Sequence, residues 1–142
     1  MKQYKHSILL VMMILTVGWG CASSGDIRKQ QNLPKMVLGS SASLKEGDAI
    51  KIANTATVIK FHKVLSDSRC PTSKNVRCVW QGVAKVQLSL SDNSGQHLFS
   101  LDTLPSSRSI NTKRIGAYKV TLQRLSRTSA QQKKYVATIR VE

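Results

Sequence analysis

The chain has 142 residues, a length typical of a single domain. Lysine and arginine number 22 against 7 aspartate and glutamate, so the formal net charge is +15, and aromatic residues make up only 5%. So few carboxylates argue against general acid–base catalysis, and so few aromatics argue against a base-stacking surface for nucleic acid. We predict a protein that is not an enzyme and does not bind nucleic acid.

The N-terminus has the layout of a secretory signal. Lys2 and Lys5 form a basic start, and residues 8–17 are an apolar run of about ten residues, interrupted only by Thr16. A membrane-spanning helix requires roughly 20 apolar residues, so a retained anchor helix is the weaker interpretation. We therefore predict export, with residues 1–20 as the signal peptide.

Cys21 directly follows this signal and is preceded by Gly20, an arrangement that resembles the bacterial lipobox. In that family the cysteine thiol is diacylated and becomes the first residue of the mature protein. Gly18 and Trp19 depart from the family's usual aliphatic and small residues. Cleavage after Ala22 is the alternative and would release a secreted or soluble periplasmic protein. We expect lipidation of Cys21, and hence an outer-membrane lipoprotein that faces the periplasm and is held to the membrane by its lipid.

Cysteine counting supports the same assignment. An exported protein meets an oxidising compartment, so we predict a disulfide between Cys70 and Cys78, which leaves no odd thiol once Cys21 is lipidated. Zinc would need two more ligands, and neither His62 nor His97 lies at ligand spacing to the cysteines. We predict no metal and no other cofactor.

Residues 21–35 follow the signal and are mostly polar. Their few apolar residues recur with no regular spacing, as is typical of a flexible tether. From Met36 onward, short apolar runs with a period near two alternate with turn residues. The predicted strands are residues 36–38, 49–52, 57–65 with a bulge near His62, 80–90, 97–101, 117–125 and 135–141. The clearest is 80–90, which places Trp80 on the inward face, and a tight turn at 92–95 joins it to the next strand as a hairpin. The strands predict one all-β domain over 36–142, a small antiparallel β-sandwich or partly open barrel of about six or seven strands.

One motif lies between the two central strands: Asp67, Ser68, Arg69, Cys70 and Pro71, followed by Cys78, Trp80 and Gly82. This set resembles a signature of small bacterial envelope proteins of uncharacterised function. The resemblance implies a β fold and a periplasmic or surface setting, and it implies no activity. A structural interpretation has Asp67 pairing with Arg69 or with loop amides, and Trp80 covering the disulfide. The alternative is a binding loop presented on a rigid scaffold.

The excess of positive charge is the last feature of the sequence that bears on function. Arg69, Lys74 and Arg77 would place basic groups on or beside the disulfide loop, where we predict a binding site. Such a surface attracts polyanions, which in the envelope are anionic lipid, lipopolysaccharide, anionic wall polymers or an acidic protein. The alternative is that lysines at outward strand positions only solubilise the sheet. Two functions follow: a binding module for an anionic envelope component, or an accessory subunit that docks on a larger envelope assembly.

Overall fold

The computed structural model describes residues 32–70, 77–104, 110–129 and 134–142. Every element in these ranges is a β-strand. The strands are β1 (Lys35–Met36), β2 (Ser41–Lys45), β3 (Ala49–Ile52), β4 (Val58–Asp67), β5 (Ala84–Asp92), β6 (Gly95–Asp102), β7 (Thr112–Ile115), β8 (Tyr118–Ser129) and β9 (Lys134–Val141). No helix in the described ranges is long and apolar enough to cross a membrane.

The strands form two sheets, one of five strands in the order β1-β3-β4-β5-β6 and one of four in the order β2-β9-β8-β7. All neighbours are antiparallel except β1 and β3, which are parallel. One hydrophobic core contains side chains from both sheets, including Phe61 and Leu88 of the first and Leu122 and Ile139 of the second. The all-β sandwich expected from the sequence is therefore confirmed.

Alternation of buried and exposed residues explains why these segments form strands. Along β9, every second residue from Tyr135 to Val141 is buried, while Lys134 and Arg140 are exposed. A half-buried strand requires this period of two.

Several predicted strand boundaries are confirmed. β3 covers 49–52, β4 has a register shift between Phe61 and Lys63 where the bulge was expected, and Asp92 pairs with Gly95 across a two-residue hairpin turn. The strands β2 and β7 were not predicted, because Ser41–Lys45 and Thr112–Ile115 contain few apolar residues. β8 extends to Ser129, into a stretch expected to be a loop, because its later residues pair with β9.

The prediction for Trp80 is wrong. β5 begins at Ala84, and Trp80 lies before it with 82% of its surface exposed. Gly82 has a φ of +65°, and a Cβ there would overlap the Ser68 carbonyl, so the chain turns sharply against Ser68 before the strand begins. Trp80 therefore neither joins the strand nor enters the core.

The two ends of the sandwich carry different features. At the disulfide end, β4 ends, β5 begins and Cys70 is bonded to Cys78. At the opposite end, the Thr57 hydroxyl donates a hydrogen bond to the Tyr118 hydroxyl, and the Gly39 N–H donates to the Val141 carbonyl.

Candidate functional site

The carboxylates within the described ranges are all engaged in structural contacts. Glu46 accepts a hydrogen bond from the Val64 N–H at 2.8 Å, and Asp48 accepts one from the Lys45 N–H at 3.0 Å. Asp92 accepts bonds from the N–H and hydroxyl of Ser94 in the β5–β6 turn.

Only the remaining three of these carboxylates form ion pairs. Asp67 binds Arg69 and Arg127, Asp102 lies 3.9 Å from Lys85, and Glu142 binds Lys119 and Arg140. Many basic side chains in the described ranges therefore have no ion pair: Lys35, Lys45, Lys51, Lys60, Lys63, Arg77, Lys113, Arg114, Arg124 and Lys134.

Four of these lysines lie on three adjacent strands of the five-stranded sheet. Lys35 of β1 and Lys51 of β3 are direct register partners. Lys51 pairs with Val58 of β4, which lies two residues before Lys60, and Lys63 follows the bulge on the same strand. We refer to Lys35, Lys51, Lys60 and Lys63 as the lysine patch.

All four lysines of the patch point outward. Their strand neighbours Met36, Ile50, Ile52, Ile59 and Phe61 are buried in the core. Since side chains alternate between the two faces of a sheet, Lys35, Lys51 and Lys60 lie on the outer face. Lys63 joins them after the bulge, because its register partner Gln87 also lies outside.

The rest of this outer face is nearly neutral. Its other strands carry Gln87, Ser89, Ser91, Gln96, Ser100 and the exposed Leu98, with Asp102 at the far end of β6, buried and beside Lys85. The carboxylate nearest the patch is Glu46, which accepts a hydrogen bond from the Val64 N–H next to Lys63. Like charges at adjacent positions repel and lower stability. Sheet stability therefore does not explain why Lys35 and Lys51 are direct register partners.

His62 lies at the bulge between Lys60 and Lys63. Its Nε2 is 2.8 Å from the Ser89 hydroxyl, which also accepts a hydrogen bond from Gln96. Burial of the ring lowers its pKa, and the charges of Lys60 and Lys63 lower it further. A histidine and serine in contact suggest a nucleophile and its base, but Ser89 is fully buried and its hydroxyl is closed to a substrate.

A second feature is the segment of residues 78–82, which is fixed at both ends. Cys78 is bonded to Cys70, with 5.9 Å between the two Cα atoms, which confirms the predicted disulfide. At the other end, the Ser68 N–H donates to the Val83 carbonyl and the Val83 N–H donates to the Ser68 hydroxyl, both at 3.0 Å. Between these ends Val79 and Trp80 are 93% and 82% exposed, so two adjacent apolar side chains are presented to solvent on a fixed backbone.

The structure separates the three basic residues predicted to form the loop site. Arg69 binds Asp67, with 2.8 Å between Nε and Oδ1, and donates a further hydrogen bond to the Leu125 carbonyl of the other sheet. The two arginines hold the pKa of Asp67 well below its usual range, Arg69 contributing more than Arg127. Arg77 is exposed and has no ion pair within the described ranges, while Lys74 lies outside them, as does Cys21.

The lysine patch was not recognised from the sequence. Lys60 was one of the outward lysines for which binding and simple solubilisation both remained open, and Lys35 was placed at the end of the tether. The parallel pairing of β1 with β3 brings Lys35 beside Lys51. β1 has only two residues, which is too short for its sequence pattern to predict which strand it pairs with.

Two further concave regions lie within the described ranges, and neither has a recognisable catalytic arrangement. One groove of about 460 Å³ is lined by Lys45, Glu46, Lys134 and Tyr135 among others, and an open depression of about 510 Å³ near Asp92 is lined mainly by polar turn residues. Within the described ranges, no three His, Cys, Asp or Glu side chains gather closely enough to hold a metal ion.

Comparisons with known proteins identify no relative, so any assignment of function depends on the features of this structure. No family model matches the chain, and no curated protein or solved structure is significantly similar to it.

Proposed function

We propose that this chain is an exported, lipid-anchored envelope protein whose β-sandwich binds an anionic envelope component without catalysis. The observation that supports the proposal most directly is the lysine patch, in which Lys35 and Lys51 are register partners and Lys60 and Lys63 follow on the next strand. A group of like charges that lowers stability is retained where it serves binding.

The position of the patch suits a protein held near a membrane. β1, which carries Lys35, is the first strand of the domain, and only eleven positions separate Cys21 from Asn32, where the described chain begins. An extended chain of that length spans at most roughly 40 Å. An acyl group on Cys21 would therefore keep the lysine patch close to the membrane surface.

The chemistry of the patch favours an extended anionic ligand over a small one. The four ammonium groups lie on an open sheet face, with neutral Ser and Gln side chains beside them. Each lysine near an anionic membrane contributes about 1 kcal/mol of attraction. Lipid headgroups, lipopolysaccharide and an acidic protein surface all offer the required negative charge.

A second candidate function is docking on a larger envelope assembly. It is favoured by Val79 and Trp80, since an exposed aromatic residue beside an exposed aliphatic one is typical of the anchor residues of protein interfaces. In that case the lysine patch would only keep the sheet surface soluble and would bind no ligand.

The experiment compares two charge variants of the chain from Ala22 onward, after cooperative thermal unfolding shows that each is folded. In the patch variant, Lys35, Lys51, Lys60 and Lys63 become Gln. In the matched control, four basic residues that also lack ion pairs become Gln: Lys45, Lys113, Arg114 and Arg124.

Binding to phosphatidylglycerol vesicles, lipopolysaccharide and neutral phosphatidylcholine vesicles is then measured. We expect the patch variant to lose up to about a thousandfold in affinity for the anionic ligands, and the control much less. Equal losses would show that the attraction is diffuse. No anionic binding by the unchanged chain at physiological salt would refute the proposal.

A further inference from the structure

Residues 78–82 are held in place at both ends. The disulfide fixes Cys78, the close packing against Ser68 fixes Gly82, and the Ser68–Val83 hydrogen bonds fix the chain immediately after it. Each of these residues therefore has a structural role.

Val79 and Trp80 have no such role, although they are the apolar residues of the segment. Both are almost fully exposed, and neither belongs to the core. Burying an aromatic side chain stabilises a fold, so a tryptophan left in water on a fixed backbone is better explained by a binding partner.

We propose that Val79 and Trp80 insert into the interface of an anionic lipid bilayer while the lysine patch contacts its headgroups. This inference rests on the proposed function and names its ligand. Tryptophan favours the boundary between headgroups and acyl chains, where its ring is in apolar surroundings and its N–H reaches polar groups. Val79 supplies a second apolar group, and a rigid backbone avoids the entropy cost of ordering the segment on binding.

The charges around the segment favour an anionic lipid surface. Arg77 is exposed one residue before Cys78 and has no ion pair within the described ranges. The nearest carboxylate along β4 is Asp67, which is 6% exposed and neutralised by Arg69 and Arg127. Glu46 also lies against this half of β4, where it accepts a hydrogen bond from the Val64 N–H, so two carboxylates stand against three arginines and the local charge is positive.

Two lysines of the patch lie on the strand that leads to the disulfide. β4 carries Lys60 and Lys63, ends at Asp67, and leads within three residues to Cys70, the partner of Cys78. A bilayer offers both an extended anionic surface and an apolar interior, so one ligand accounts for the lysine patch and the exposed pair together.

The test uses the chain from Ala22 onward, which lacks the apolar run of the predicted signal, after thermal unfolding shows that it is folded. The sequence contains two tryptophans, Trp19 and Trp80, so this chain has Trp80 as its only one. The probes are vesicles of equimolar phosphatidylglycerol and phosphatidylcholine, with and without brominated acyl chains. We expect the Trp80 emission to shift to shorter wavelength on these vesicles and to be quenched by the brominated chains.

The matched control moves the reporter to the turn between β7 and β8 of the four-stranded sheet, with Trp80→Phe and Ala117→Trp. Ala117 is also exposed, and the lysine patch belongs to the other sheet. Its emission should remain that of a solvated tryptophan. Shielding at both positions would show general adsorption and would overturn the inference.

The remaining outcomes separate this inference from the proposed function. Salt-dependent vesicle binding with a solvated Trp80 overturns insertion and leaves the anionic binding function intact. If binding is not salt-dependent and Trp80 stays solvated, both fail. If Trp80 stays solvated on vesicles and becomes shielded only when solubilised envelope proteins are added, the segment docks on protein and insertion is wrong.

Discussion

Asp67 at the end of β4 forms an ion pair with Arg127 of β8, with 2.7 Å between Oδ2 and Nη2, and so joins the two sheets. The same carboxylate binds Arg69, whose guanidinium also donates to the Leu125 carbonyl of β8. One buried carboxylate therefore orders the disulfide end of the sandwich.

Replacing this carboxylate should lower both stability and its dependence on pH. We expect Asp67→Asn to reduce the free energy of unfolding by about 2 kcal/mol, because charge-assisted hydrogen bonds to two arginines are lost. The pKa of Asp67 is lowered in the fold, so its contribution is present above the unfolded pKa of about 4 and declines as the pH falls below it.

Urea denaturation at neutral and acid pH measures this effect. Asp92→Asn is the control, because Asp92 ends β5 at the hairpin, where hydrogen bonds from Ser94 lower its pKa and it forms no ion pair with any described residue. Equal losses in the two variants would contradict the assigned role of Asp67.

Gly82→Ala should destabilise the protein more than Gly116→Ala. Both glycines have a positive φ, +65° at Gly82 and +55° at Gly116, so both substitutions carry the backbone penalty. Only at Gly82 would the new methyl group overlap the Ser68 backbone, whereas Gly116 faces open space. Thermal unfolding should show a difference of about 2 kcal/mol or more, and equal losses would mean that the close approach to Ser68 is unimportant.

Reduction of the Cys70–Cys78 disulfide should lower the free energy of unfolding by roughly 2 to 4 kcal/mol without abolishing the sheets. The bonds between Ser68 and Val83 and the pair between Asp67 and Arg127 hold the same region independently. Denaturation with and without a reducing agent, followed by circular dichroism, measures both effects. Loss of the β-sheet signal on reduction alone would show that the core depends on the disulfide.

The mature N-terminus should be an acylated Cys21. Mass spectrometry of the protein recovered from the envelope of a bacterial host is expected to show the lipid mass on Cys21, and Cys21→Ser should lack it. A mature chain that begins with a free residue after Ala22 would establish the alternative cleavage and a soluble protein.

Much of the fold could be predicted from the sequence, because burial imposes a visible period. The alternation in β9 and the hairpin at Asp92–Gly95 are local patterns, and both are confirmed. β2 was missed because Leu44 is its only large apolar residue and its pairing with β9 spans most of the domain. Trp80 was misplaced because alternation continues through residues 80–84, while Gly82 ends the regular backbone there.

The candidate site was harder to predict, since it depends on contacts between distant segments. Arg69 looked like an available basic residue until Asp67 and Leu125 were seen to bind it. Lys35 and Lys51 become neighbours only through the pairing of β1 with β3. Charge composition led us to propose an anionic ligand, and the sheet topology shows which lysines share one outer face.

The salt dependence of vesicle binding tests the central claim most directly. Affinity for phosphatidylglycerol vesicles should fall steeply between 0.1 M and 1 M salt for the chain from Ala22 onward, as the Debye length drops from about 10 Å to about 3 Å. In the variant that replaces Lys35, Lys51, Lys60 and Lys63 with Gln, this dependence should become shallow, while the control at Lys45, Lys113, Arg114 and Arg124 should retain it. An equally steep dependence in the patch variant, or no binding by the unchanged chain at 0.1 M, would contradict the account.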